Sequence, residues 1–88
     1  MAGVFLPGSR VRLRRDFQVF RDGVIPACVT GVVVTATAEM YAVRLDERRP
    51  ALDAWNNEIR LEPADAGDEG LEALAWLLFE PDDREERR

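Results

Sequence analysis

The sequence predicts a mainly β fold, a small closed barrel with a short α-helix at its C-terminal end. Three observations lead there. Three apolar stretches, Ile25 to Val34, Tyr41 to Asp46 and Trp55 to Leu61, follow one another between charged or Pro-containing loops, and such β-branched and aromatic runs favour strands. Gly31 interrupts the longest of them, and a glycine inside such a run marks a bulge or sharp bend of the kind that closing a few strands requires. Beyond Pro63 the apolar period changes from two to between three and four, the spacing of a helix face.

Taken in order, Arg10-Val11-Arg12-Leu13-Arg14 alternates charge and apolarity with period two, so a strand is expected with one face on the core and one in water. Residues 16 to 26 contain the turn dipeptide Asp22-Gly23 and Pro26 and are read as a long surface loop. The second strand runs from about Val29 to Thr37, its Val32-Val33-Val34 triplet suggesting burial on both faces for part of its length. In the third, Tyr41, Val43 and Leu45 share one face, opposite Ala42 and Arg44. The segment Trp55 to Leu61 gives a short helical turn or bend and then a fourth strand, stopped by Pro63. Residues 64–70 are small and polar, a linker. In 71–80 the residues Leu71, Leu74, Ala75 and Leu78 fall on one stripe, which predicts a helix ended by Pro81. The expected organisation is a barrel over residues 1–63, a linker over 64–70, a helix over 71–80 and a charged tail over 81–88.

With 88 residues, one domain and one modest core are expected, and 47% hydrophobic with 33% charged residues is the composition of a folded chain. Charge is uneven. Residues 1–60 hold nine Arg against seven acids, net +2, and residues 61–88 three Arg against ten acids, net -7. The most apolar C-terminal run, Ala73 to Phe79, is far short of the roughly 20 residues that cross a bilayer, and Met1 to Gly8 lacks the regions of a secretory signal. No membrane association and a cytoplasmic location are expected.

The single cysteine, Cys28, and the absence of histidine exclude an intramolecular disulfide and the usual zinc sites. The commonest general base near neutral pH is therefore missing. Cys28, in an apolar run, is read as a small buried residue. Asp46, Glu47 and Asp53 flank one loop with Arg48 and Arg49 to neutralise them, a solvated loop rather than a catalytic dyad. No catalytic residue, cofactor or metal is expected, and the protein is read as not an enzyme.

Pro7-Gly8-Ser9-Arg10-Val11-Arg12-Leu13, Gly31-Val32-Val33, Tyr41-Ala42-Val43-Arg44-Leu45-Asp46 and the closing Trp55 to Pro63 together resemble the SH3-like barrels of the electron-transport accessory group. That group includes photosystem I reaction-centre subunit IV, the variable chain of ferredoxin-thioredoxin reductase and the C-terminal part of the nitrile hydratase β subunit. The resemblance covers residues 7–63 and implies a non-catalytic role, bracing, docking or helping to mature an enzyme whose redox or metal centre lies in another chain. The segment Arg21 to Pro26 lacks the His usual in the nitrile hydratase type, so no functional residue is carried over.

Partner contacts are expected from two regions. Arg10, Arg12 and Arg14, with Arg15, form a basic stripe that either receives an acidic partner or is simply a solvated strand face. Trp55 is either a surface anchor or a plug at the barrel end, and Trp76 falls about 140° from Leu71 on a wheel of about 100° per residue, away from the Leu stripe. With Phe79 it extends the apolar surface of the helix. The expected function is that of an accessory or interaction protein bound to another protein or to a second copy of itself. The alternative is a nucleic-acid or ribosome-associated module of the KOW type, disfavoured by a body of only +2 without lysine.

Overall fold

Because Val11 and Leu13 alternate with Arg10 and Arg12, the first strand, β1 (Arg10–Leu13), sends its two apolar side chains into the core and keeps its arginines at the surface. The computed structural model describes residues 5–19, 21 and 23–82. Around β1 it builds β4 (Thr30–Ala36), β5 (Tyr41–Leu45), β6 (Glu58–Leu61) and β7 (Phe79–Pro81) into an antiparallel sheet of order β6-β5-β4-β1-β7. A separate ribbon pairs β2 (Phe17–Val19) with β3 (Gly23–Ile25). The fold is mainly β with a helical C-terminal segment, as expected.

The five-stranded sheet does not close into a barrel. The outer edge of β1 is taken by β7, and β2 and β3 pair with each other rather than with the sheet. The ribbon also corrects the reading of residues 16–26 as a loop. Its strands are three residues each, too short for a period of two to stand out, and Ile25 and Val19 nevertheless enter the core. Asp22 of the expected turn lies outside the described residues.

Gly31 is required, but for a different reason from the one the sequence suggests. Its φ is not among the positive values, and the register shift of β4 against β5 falls between Val33 and Thr35. Gly31 sits instead in a central strand, paired with Val11 on one side and Leu45 on the other. A Cβ there would overlap the carbonyl oxygen of Arg44 and approach Leu45 Cα to 3.1 Å. Within the Val32-Val33-Val34 triplet only Val33 is fully buried.

Before β6 the chain forms a 3-10 turn over Pro50–Trp55 and then passes through Asn56 and Asn57, both at positive φ. Asparagine tolerates that conformation. The Asn57 side chain donates to the carbonyls of Leu45 (3.1 Å) and Glu47 (3.0 Å) and accepts from the Arg49 amide (2.8 Å), so one residue fastens the loop from both sides.

Residues 64–70 are not a linker. Helix α1 (Pro63–Ala66) begins with Pro at its first position and a reciprocal cap in which the Glu62 amide donates to the Asp65 carboxylate at 2.8 Å. A 3-10 turn (Gly67–Glu69) and α2 (Gly70–Leu78) follow, with Gly67 and Gly70 at positive φ where the path changes direction.

The expected helix over 71–80 ends early, at Leu78. Glu80 precedes a proline, which disfavours the helical conformation there, and Phe79 turns extended so that its ring enters the core. Pro81 is tolerated because β7 is an edge strand. Leu71 and Ala75 are buried and Leu74 and Leu78 pack partly on the core, which bears out the apolar stripe. No helix among the described residues is long and apolar enough to cross a membrane.

Candidate interaction surface

Of the residues expected to meet a partner, Trp55 is the most available. It ends the 3-10 turn, is 46% exposed, and carries the Arg60 guanidinium 5.9 Å from its ring centroid. Trp55 borders a groove of about 660 Å³ between the sheet edge β6 and strand β2. Apolar side chains, Leu52, Ile59 and Phe17 among them, line it, and Glu58, Arg60, Glu62 and Asp65 supply its charges. The Glu58 carboxylate is buried and receives Arg44 and Arg60, each at 3.0 Å. Glu62 and Asp65 are exposed and have no cation partner among the described residues.

The basic stripe is not a bare patch. Arg12 donates through Nε to Glu80 at 2.7 Å, and Arg14 reaches the same carboxylate at 3.5 Å and the Phe79 carbonyl at 2.8 Å. Arg10 forms a two-pronged pair with Asp46, which also accepts from the Thr30 hydroxyl, and lies 3.6 Å from Asp82. The hydrogen bond to Glu80, and then its charge, hold Arg12 still more firmly in its charged form. Glu80 of β7 and Asp82 just after it therefore lie along the arginines of the β1 segment.

Phe79 contributes nothing to a surface. It is 1% exposed and packs beside Tyr41, with ring centroids 6.5 Å apart, because β7 rather than the helix carries it. Trp76 is half-buried and stacks on Phe5 at 4.4 Å. The helical wheel leaves it without a partner; the chain supplies one from its opposite end.

Cys28 is also corrected. It is exposed, at φ 75° in the turn between β3 and β4, where its amide donates to the Leu13 carbonyl at 2.8 Å. Two of the three loop carboxylates are paired with Arg48 and Arg49 as expected, while Asp46 goes to Arg10 instead. Asp53 receives Arg48, whose hydrogen bond holds the carboxyl below its ordinary range, and Glu47 lies 3.7 Å from Arg49.

Sequence reasoning missed Arg60, Phe17, Glu62 and Asp65. Only the last two left a local signal, the acid-Pro-x-acid start of a capped helix. The groove arises where segments distant in the chain meet.

In comparisons with known proteins, no family model matched the chain, and neither a curated protein nor a solved structure matched it significantly.

Proposed function

We propose that the protein is a cytoplasmic SH3-like module acting as a non-catalytic accessory protein, docking onto another protein through the groove beside Trp55. The observation that carries this reading is the half-exposed Trp55 on the rim of an apolar groove of about 660 Å³. Tryptophan is enriched among residues that dominate binding energy, and an apolar cleft with a polar rim is the form such contacts take. The short strands around β4 and the turn before β6 suit the SH3-like resemblance.

Arginine pairing favours this reading over a nucleic-acid module. Arg10, Arg12 and Arg14 already face Asp46, Glu80 and Asp82, which lowers the charge available to phosphates.

The test is co-purification of the tagged protein from its own cell, beside Trp55→Ala. Wild type should retain a partner in fixed proportion, and Trp55→Ala should lose about 2 kcal/mol or more of association, the scale of a hot-spot aromatic, with an unchanged melting curve. A wild-type protein that retains nothing, or a variant that retains the same partner equally, overturns the proposal.

A further inference from the structure

One of the two edges of the sheet, that of β6, lies along the same groove. In an antiparallel pair, facing residues alternate between exchanging backbone hydrogen bonds and not exchanging them. β5 and β6 pair as Arg44 with Glu58, Val43 with Ile59, Ala42 with Arg60 and Tyr41 with Leu61. The Leu45 amide donates to the Asn57 carbonyl at 3.0 Å, one step before this ladder, and this sets its phase. Ile59 and Leu61 therefore bond to β5, whereas Glu58 and Arg60 turn their amides and carbonyls outward. No strand of the described residues pairs with that side of β6.

We infer that this edge of β6 is a strand-addition site, taking an extended segment of a partner protein with alternating apolar and basic side chains. The inference rests on the docking role proposed above and names its mode. An added strand would find backbone partners at Glu58 and Arg60, and its alternate side chains would enter the groove beside Phe17, Trp55 and Leu74, since strand side chains alternate between faces.

Charge selects the occupant. Glu58 is buried and held by Arg44 and Arg60, whereas Glu62 and Asp65, which follow β6, are exposed and have no cation partner among the described residues. Lysine or arginine on the incoming strand would supply it. A second copy of this chain fits poorly. It carries a net charge of -5, and its own β6 is followed by the same exposed acids, Glu62 and Asp65.

The test uses the full chain and a labelled nine-residue peptide alternating Val and Lys, beside the same peptide with Glu for Lys and a third N-methylated at its backbone amides. The Val and Lys peptide should bind, the other two at least tenfold more weakly. Amide exchange at Glu58 and Arg60 should slow at least tenfold in the complex, and Glu62→Gln with Asp65→Asn, which keep the capping acceptors, should weaken binding several-fold. Equal binding of the N-methylated peptide, or unslowed exchange at Glu58 and Arg60, overturns strand addition. So does protection of those amides by self-association without peptide, which would make a second copy the occupant. If no peptide binds while the cell extract yields a Trp55-dependent partner, strand addition fails and docking survives; if no partner is retained either, both fail.

Discussion

Arg12 and Glu80 stand directly opposite one another where β1 pairs with β7, joined by a 2.7 Å hydrogen bond from Nε to the carboxylate. The basic segment near one end of the chain and the acidic segment near the other are thus strands of one sheet. The uneven charge of the sequence has a structural outcome: Glu80 of β7 and Asp82 just after it face the arginines of the β1 segment. Surface pairs of this kind contribute little to stability, but they change what the face presents to a polyanion.

Neutralising the covering acids should therefore expose a basic stripe. Glu80→Gln combined with Asp82→Asn is expected to elute from heparin at clearly higher salt than wild type, with the circular dichroism spectrum preserved. Equal elution of the two at low ionic strength would show that β7 does not mask the arginines.

Phe79 should behave as a core residue. At 1% exposure, with its ring beside Tyr41, Phe79→Ala is expected to cost about 3–5 kcal/mol in urea unfolding. A loss below about 1 kcal/mol, with partner binding reduced, would return Phe79 to the surface role that the helical pattern suggests.

How far the sequence reaches is visible at these residues. Arg10 to Leu13 and Glu58 to Leu61 declare themselves because one face meets the core and the other meets water or a charged partner, and in Tyr41 to Leu45 the pattern survives although Ala42 is buried too, because Arg44 still faces out. Phe79 satisfies a helical period as well as a strand, and its choice is made by β1, more than sixty residues earlier. Trp76 looks unpartnered until Phe5 arrives from the N-terminal end. Cys28 sits among apolar neighbours yet occupies a turn, which burial statistics for its type do not anticipate. Glu62-Pro63-Ala64-Asp65 did carry a helix start in plain view; its small, polar composition masks it.

Gly31 separates two explanations of why a glycine interrupts a β-branched run. Its backbone is not left-handed, so strain in φ plays no part, and the obstacle is the Arg44 carbonyl on the neighbouring strand. Gly31→Ala should then already destabilise by about 1–3 kcal/mol, since the main chain rather than a flexible side chain must yield. An alanine variant as stable as wild type in urea would show that β4 and β5 can move apart at no cost.

Tyr41 offers the most selective test, because it is the chain's one tyrosine. The residue is 4% exposed, and its hydroxyl has no hydrogen-bond partner among the described residues. Burial without a partner penalises a hydroxyl by about 1–3 kcal/mol, so Tyr41→Phe, which keeps the ring between Phe5 and Phe79, should raise stability by about 1 kcal/mol. Burial also pushes the phenol upward, because the charged phenolate is disfavoured there. The sign follows by linkage: the unfolded chain releases the phenol proton near pH 10 while the folded chain still holds it, so this contribution to stability is complete below that pH and declines as pH rises above it. Wild type should lose stability above about pH 10 more steeply than Tyr41→Phe, and its phenolate absorbance should appear only as the fold opens. A tyrosine that titrates freely near pH 10 in the folded protein, or a phenylalanine variant less stable than wild type, would mean that the hydroxyl reaches a partner or solvent after all.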